Sequence, residues 1–143
     1  MAEGILRHKW KMSGREGLAV SSMGIHGLDH QEASKLGREL CAENGIDISS
    51  HRSRKLVMPE LEEADLILSM EWVQKDFLRV FFPRLDDKSF LLSLWPDIER
   101  RKKSKKDNIK DPYGSNKRAY EEAFRVISEH VTRVMLALEQ IYF

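Results

Sequence analysis

The sequence predicts an α/β fold, a three-layer sandwich in which a short parallel sheet is flanked by helices. Residues 18–22, 64–70 and 89–95 are short apolar runs, typical of parallel strands that are buried on both faces. Segments with helical spacing separate these runs, as in folds with right-handed crossovers. The length of 143 residues and the hydrophobic content of 41% suit a single domain covering residues 1–143.

The first helix is predicted over residues 1–13. No Ser, Thr, Asp or Asn precedes this segment to accept hydrogen bonds from its first backbone N–H groups. Such a bare helix N-terminus can hold an anion. We therefore expect an anion-binding loop to belong at this end of the helix.

The second helix is predicted to begin at Asp29, with Glu32 three positions later as in a capping box. Gly45 supplies a residue that readily adopts the left-handed conformation at which helices end. The side chains expected to face the core recur at helical spacing: Ala33, Leu36, Leu40 and Cys41.

A third helix is predicted over residues 71–82, where Pro83 ends it. We expect its apolar side chains to cover one face of the sheet: Trp72, Val73, Phe77, Leu78, Phe81 and Phe82.

The last helix is predicted to begin after Ser115 or Asn116. Its seven-residue rhythm fits a helix packed on its own sheet, and less well a coiled coil between two chains. The apolar positions recur at spacings of four and three: Tyr120, Phe124, Ile127, Val131, Val134, Leu138 and Ile141.

Composition restricts the classes of function. The net charge of +1 gives no overall attraction to nucleic acid or membranes, and neither partner is expected. The basic run at residues 100–106 is interpreted as a solvated loop, or alternatively as a surface that attracts anionic phosphoproteins. No aromatic side chains that could stack on bases lie within it. A single cysteine, Cys41, and the lack of a signal peptide or membrane span predict a cytoplasmic protein without disulfides.

No cofactor and no metal are expected. His26 and His30 lie four residues apart with Asp29 beside them, but a third ligand at a recognisable spacing is missing. We therefore do not interpret these residues as a metal site.

Four motifs carry a resemblance to a known family: Gly45-Ile-Asp-Ile-Ser49, His51-Arg-Ser-Arg-Lys-Leu56, Ala64-Asp-Leu-Ile-Leu-Ser-Met70 and Asp111-Pro-Tyr-Gly114. In this order the chain resembles the low-molecular-weight protein tyrosine phosphatases and their arsenate-reductase-like relatives over nearly its whole length. Residues 1–4 also resemble the run that follows the signature loop of that family.

The resemblance implies a role for each matching residue. Asp111 matches the general acid that protonates the leaving phenolate, and Tyr113 matches the aromatic wall for a phosphotyrosine ring. Ser22 and His51 match the hydroxyl and imidazole that brace the phosphate loop. The implied substrates are a phosphotyrosine protein or a small aryl phosphate. Gly114 stands where many members carry a second aromatic residue, and a plain Asp-Pro turn is the alternative for Asp111.

The family's phosphate loop has a nucleophilic Cys, five further residues, an Arg and then Ser-Pro, and it follows the first strand. The 143 residues contain no such loop, because Asp47 stands six positions after Cys41. We interpret Cys41 as a core residue and expect the chain to lack the family's first strand and to be inactive. We also expect the chain to begin at an internal methionine of a longer reading frame.

Two further expectations follow from the missing strand. The chain is predicted to form a homo-oligomer, a homodimer, that covers the place of this strand. The alternative function is a pseudophosphatase, a binding or scaffold module that dimerises through the exposed sheet or a helix face. Arsenate reduction is less consistent with the sequence, because its thioredoxin-coupled form needs further cysteines.

Overall fold

The structure, a computed structural model, describes residues 1–99 and 102–143. The chain divides into two compact units. The terminal unit comprises Met1–Lys55 and Asp111–Phe143, and the central unit comprises Leu56–Lys110. The helices and strands in chain order are α1 (Ala2–Met12), α2 (Lys35–Glu43), α3 (Met58–Glu63), β1 (Ile67–Ser69), α4 (Trp72–Phe81), β2 (Ser89–Leu91) and α5 (Lys117–Tyr142).

The terminal unit is built by helix packing, with α5 lying against both α1 and α2. The 26-residue helix α5 begins after Asn116, whose side chain accepts a hydrogen bond from Ala119 N at 3.0 Å. The predicted apolar stripe is largely confirmed, although Phe124 is only half-buried and Ile141 is 58% exposed. The α5 side chains buried in this unit are Tyr120, Ala123, Ile127, Val131, Val134, Ala137 and Leu138.

Helix α1 confirms the prediction for residues 1–13 and has no side-chain cap at Met1. Ile5 is fully buried, and Trp10 is 4% exposed with its ring centroid 5.4 Å from that of Phe143. Gly4 permits a close approach to the segment after α2, since a Cβ added there would lie 2.5 Å from Ile48 Cγ2. This contact explains why a residue without a side chain occupies the first turn of α1.

Helix α2 starts later than the sequence predicts. Ser34, not Asp29, is its N-cap, and the Ser34 hydroxyl accepts a hydrogen bond from Gly37 N at 3.3 Å. The Asp29 carboxylate accepts a hydrogen bond from Lys55 N at 2.8 Å, so it connects two segments of the chain and does not cap the helix. The predicted stop is confirmed: Gly45 has φ +75° immediately after the helix.

The central unit contains the sheet. Strands β1 and β2 pair in parallel, with Ile67 opposite Ser89 and Ser69 opposite Leu91. Both strands are shorter than the predicted runs, and the sequence analysis missed α3. Pro83 begins a 3-10 turn over Pro83–Lys88, which confirms the predicted end of α4. The buried apolar side chains of this unit are Leu61, Ile67, Leu78, Leu85, Leu91, Leu92, Trp95 and Ile109.

Helix α4 lies against both strands, but its apolar face only partly covers the sheet. Leu78 is 4% exposed, whereas Val73 and Phe81 are 69% and 64% exposed. The prediction that this helix lies on the sheet is therefore confirmed, although part of its apolar stripe is exposed. Phe77 forms an aromatic cluster with Phe81, at 4.8 Å between ring centroids.

The predicted strand at residues 18–22 is not formed. Among the described residues the sheet has two strands, and residues 18–22 belong to neither of them. The neighbouring segment makes only isolated bridges, a parallel one between Gly24 and Lys55 and an antiparallel one between Glu32 and Arg52. A strand must exchange hydrogen bonds with a second strand, and no ladder formed by residues 1–99 and 102–143 includes residues 18–22.

Two of the basic residues of the run 100–106, Arg100 and Arg101, lie outside the described residues. Lys103 contacts α4: its ammonium group lies 2.5 Å from Asp76 Oδ1 and 5.2 Å from the centre of the Trp72 ring. The hydrogen bond from Lys103 lowers the pKa of Asp76. Within residues 1–99 and 102–143, no helix is long and apolar enough to cross a membrane.

Candidate functional site

Two of the predicted site residues meet at the first turn of α1. The Ser22 hydroxyl donates a hydrogen bond to Glu3 Oε2 at 2.5 Å, and His51 Nδ1 lies 3.7 Å from the same oxygen. Arg7 reaches the other carboxylate oxygen, Glu3 Oε1, at 3.1 Å. The Glu3 side chain is 18% exposed, so these contacts form in a partly desolvated place.

The electrostatics of this cluster follow from its place on the helix. The first N–H groups of α1 carry a partial positive charge and lack a side-chain cap. The Glu3 carboxylate in the first turn interacts favourably with that end of the helix dipole. When the His51 imidazole is protonated, it adds an ion pair to the same carboxylate.

Local backbone contacts hold Ser22 and His51 in place. Gly24 N donates to Arg54 O at 2.8 Å, which places the residues after Ser22 beside the residues after His51. His51 N donates to Ile48 O at 3.1 Å and so closes a turn at the end of the segment that follows α2. These contacts explain how residues 29 positions apart reach the same carboxylate.

The second pair of predicted site residues lies in the turn before α5. Asp111 Oδ1 accepts a hydrogen bond from Tyr113 N at 2.9 Å, and Ser115 N donates to Pro112 O at 2.9 Å. Gly114 has φ +79°, a conformation that suits glycine, and it reverses the chain before the helix begins. The turn holds the Asp111 carboxylate on the surface, where it can reach an external molecule.

Tyr113 is 79% exposed, and its ring has no aromatic partner among the described residues. An exposed ring at a turn is free to pack against an aryl group of a ligand. In residues 1–99 and 102–143, the described hydrogen bonds and ion pairs link Ser22 with His51 through Glu3 and Asp111 with Tyr113. They do not link one pair to the other.

Cys41 is fully buried within α2. Burial raises the pKa of the Cys41 thiol, and the positively charged N-terminal amino group partly opposes this shift. A nucleophilic cysteine needs a lowered pKa and access to its substrate. The residue six positions further on is Asp47, whose carboxyl group cannot supply the positive charge of an arginine; hydrogen bonds from Ser49 lower its pKa.

Among the described residues, no group of three or more His, Cys, Asp or Glu side chains is arranged to hold a metal ion. His26 and His30 are exposed. His30 has φ +62° in a turn, and its N–H donates to Ser53 O at 2.8 Å.

The sequence analysis missed Glu3 as a member of the site. It noted residues 1–4 for their resemblance to a run that follows a loop, but gave no role to the carboxylate. An acidic residue in the first turn of an uncapped helix was the available signal, because a carboxylate is stabilised there. The contacts with Ser22 and His51 depend on the tertiary structure.

Comparisons with known proteins agree with the motif resemblance. The model of the family described as low molecular weight phosphotyrosine protein phosphatase matches residues 1–141. A probable low molecular weight protein-tyrosine-phosphatase from Ralstonia nicotianae, EpsP, is 32% identical over 131 residues. These residues cover 92% of this chain and 81% of that protein.

Solved structures show the same fold. A low molecular weight protein tyrosine phosphatase from T. tengcongensis superposes with a TM-score of 0.83 at 31% identity, covering 96% of this chain and 88% of that one. The YwlE arginine phosphatase from Geobacillus stearothermophilus superposes with a TM-score of 0.84 at 26% identity, covering 97% of this chain and 83% of that one. The α/β fold with a parallel sheet flanked by helices is therefore confirmed.

Proposed function

This chain belongs to the low molecular weight phosphotyrosine protein phosphatase family, and we propose that it carries the accessory half of a phosphatase site. Asp111 serves as the general acid, Tyr113 as the wall for the substrate ring, and Ser22 with His51 as the brace of a phosphate loop. The 143 residues alone do not hydrolyse phosphate esters. They act as one domain of a cytoplasmic protein without a cofactor.

The observation that carries this proposal is the meeting of Ser22 and His51 at Glu3, on the uncapped first turn of α1. Both residues match the loop supports of the family in the motif resemblance. A helix N-terminus with neighbouring hydroxyl and imidazole groups is a suitable support for a loop that binds phosphate.

The proposed inactivity rests on the missing nucleophile. No Cys-x5-Arg is present in the 143 residues, and Cys41 is buried with a raised pKa. Removing the nucleophile of a well-studied hydrolase costs on the order of 10⁶ in turnover. Asp111 and Tyr113 cannot replace that contribution, because a general acid only assists departure of the leaving group.

The proposed substrate class is a phosphotyrosine protein or a small aryl phosphate. The family description and EpsP name phosphotyrosine chemistry, and the exposed Tyr113 ring offers an aryl group a packing surface. The YwlE relative is named an arginine phosphatase. A phosphoarginine peptide is therefore the substrate to compare with a phosphotyrosine peptide.

The experiment compares the 143-residue chain with the same chain preceded by a strand and a Cys-x5-Arg-Ser-Pro loop. Hydrolysis of p-nitrophenyl phosphate is measured, with circular dichroism to establish that both are folded. We expect turnover only in the extended chain, and none when Ser replaces the loop cysteine. Turnover by the 143-residue chain, with phosphate on Cys41, would overturn the proposal.

The same extended chain tests the general acid. Asp111→Asn is expected to lower kcat by about 10²- to 10⁴-fold, because the leaving phenolate then departs without a proton. Asp87→Asn, a change of the same type at another exposed carboxylate, is expected to leave kcat unchanged. Equal kcat values for the two variants would remove Asp111 from the mechanism.

A second candidate function is a binding module that forms a homodimer. Two observations favour it: the apolar segment 18–22 belongs to no ladder of the described residues, and large apolar side chains such as Val73 and Phe81 are exposed. Both kinds of surface are typical of interaction sites. Light scattering over a range of concentrations tests this candidate, and a mass of one chain throughout would exclude it.

A further inference from the structure

Residues 102–110 of the central unit form a basic segment that the proposed function does not use. Five of its side chains are lysines, all of them exposed, and Asp107 is its one acidic residue. The net charge of the whole chain is only +1, so the positive charge is local to this segment. A block of like charge stays mobile unless other contacts hold it. The contacts of the segment therefore decide whether it can serve as a binding surface.

Contacts with the end of β1 and the start of α4 hold the basic segment in place. The Asp107 carboxylate accepts a hydrogen bond from the Trp72 indole N–H at 3.0 Å, and the Asn108 side chain accepts one from Trp72 N at 2.8 Å. Ile109 is buried, and its N–H donates to Met70 O at 2.9 Å. The backbone of the segment is therefore fixed to the central unit near its C-terminal end.

The middle of the basic segment is a capped 3-10 turn, Lys105–Asp107. The Ser104 hydroxyl accepts a hydrogen bond from Lys106 N at 3.2 Å, and Ser104 N donates to the Asp107 carboxylate at 3.1 Å. The carboxylate of Asp107 thus accepts N–H groups that hold the turn together. Its role is to order the backbone from which the lysines extend.

Four of the five ammonium groups are left for a partner. Lys103 is paired with Asp76, which attaches the start of the segment to α4. In residues 1–99 and 102–143, the other four ammonium groups form no ion pair or hydrogen bond: those of Lys102, Lys105, Lys106 and Lys110. Binding orders a fixed backbone at a smaller entropy cost than a mobile one. The basic segment is therefore a preorganised surface for negative charge.

We propose that the basic segment binds an acidic stretch of a protein, the stretch that flanks the phosphorylated residue of a phosphoprotein substrate. This inference rests on the proposed function, whose substrate class includes phosphoproteins, and it adds the kind of sequence that the chain selects. Lys110 immediately precedes Asp111, the proposed general acid, along the chain. This order is the reason for assigning the acidic stretch to the substrate.

The side chains of the basic segment favour an acidic peptide over a nucleic acid or a membrane. Ile109, its one apolar side chain, is buried, so the segment presents nothing that enters lipid. Residues 102–110 also contain no aromatic side chain that could stack on bases. Separate carboxylates along a peptide need only separate ammonium groups, and the segment supplies four of them.

Equilibrium binding to the 143-residue chain tests the proposal without any turnover. The probe is a fluorescent peptide in which glutamates flank a phosphotyrosine, and the comparison peptide carries Gln in place of each Glu. Fluorescence anisotropy is expected to show saturable binding of the Glu peptide that weakens as salt is added, because salt screens exposed charges. The Gln peptide is expected to bind at least about tenfold more weakly.

Charge reversal locates the binding surface. Lys105→Glu combined with Lys106→Glu is expected to raise the dissociation constant of the Glu peptide at least about tenfold, since two attractions become repulsions. Lys105→Gln combined with Lys106→Gln removes the charges without adding repulsion, so its effect should be smaller. Circular dichroism establishes that each variant is folded.

A matched control changes the net charge by the same amount elsewhere. Lys9→Glu combined with Lys11→Glu reverses two charges in the last turn of α1. Neither ammonium group forms an ion pair among the described residues. This variant is expected to change the dissociation constant by less than about twofold, because distant exposed charges are screened.

Three results would overturn the proposal. The first is an equal loss in the two charge-reversal variants, and the second is equal binding of the Glu and Gln peptides. The third is tighter binding of a single-stranded oligonucleotide, or of vesicles containing phosphatidylserine, than of the Glu peptide. The binding and turnover experiments fail independently: the extended chain can be inactive while the 143 residues bind the acidic peptide, and it can be active while they do not.

Discussion

Two regions of the chain have the composition of strands, yet their backbones are in different states. Strands β1 and β2 exchange hydrogen bonds in a parallel ladder, and Leu91 in that ladder is 1% exposed. Residues 18–22 form another apolar run, but in the described part of the chain they belong to no ladder. A helix bonds within its own segment, whereas a strand depends on another segment. An apolar composition therefore indicates that a segment can form a strand, but it does not indicate whether another strand pairs with it.

The largest effect is expected where the paired region is broken. Leu91→Ala removes a fully buried side chain and leaves a cavity, so we expect the free energy of unfolding to fall by about 2–5 kcal/mol. Leu18→Ala, in the unpaired region, should cost clearly less, because Leu18 is only half-buried. Urea unfolding followed by tryptophan emission measures both. Equal losses would show that residues 18–22 are packed as firmly as β2.

A second test concerns the terminal unit, which is held by helix packing and not by a sheet. Gly4→Ala places a Cβ 2.5 Å from Ile48 Cγ2, so the variant is overpacked and should lose about 1–3 kcal/mol. Gly27→Ala is the matched control, since no atom lies within 4 Å of its added Cβ. Thermal unfolding of the two variants should separate them clearly. A stable Gly4→Ala variant would mean that α1 does not approach Ile48 so closely.

A smaller effect is expected at the start of α5. Asn116→Ala removes the side-chain acceptor that caps Ala119 N and should cost about 1 kcal/mol. Gln140→Ala, at an exposed position near the other end of the helix, should change the free energy of unfolding little. The same urea titration serves for both. No difference between them would show that the cap contributes nothing to α5.

The smallest effect is a pH dependence within α5. Burial, followed by the positive charge of Arg133, lowers the pKa of His130, while Glu129 opposes the shift. The unfolded state, with a pKa of about 6.5, then binds a proton more readily than the folded state. The contribution of His130 to stability is therefore present above that value and is lost as pH falls through the folded pKa. His130→Gln should flatten this decline in unfolding measured from pH 7.5 to pH 5, and an unchanged curve would contradict it.

Much of the helical structure could be predicted, because its signals are local. The spacing of apolar residues located α4 and α5, and Gly45 and Pro83 marked where helices end. The start of α2 could not be read in this way, since Asp29 and Ser34 are both good N-cap residues. A tertiary contact distinguishes the two residues, because the Asp29 carboxylate accepts a hydrogen bond from Lys55 N and so does not cap the helix.

The candidate site was predictable to a different degree. The motifs selected Ser22, His51, Asp111 and Tyr113, whose roles stay predictions. The structure adds that the first two meet at one carboxylate and the last two share a turn. Glu3 itself was out of reach, because its contacts come from segments 19 and 48 positions away along the chain.

The buried indole of Trp10 gives this protein a built-in optical signal. It is the sole tryptophan of the terminal unit, whereas Trp72 and Trp95 belong to the central unit. Replacing those two by Phe leaves Trp10 as the sole tryptophan. A red shift of its fluorescence emission then reports the unfolding of the terminal unit alone. If that shift coincides with the loss of helical circular dichroism, the two units melt together and the chain is one cooperative domain.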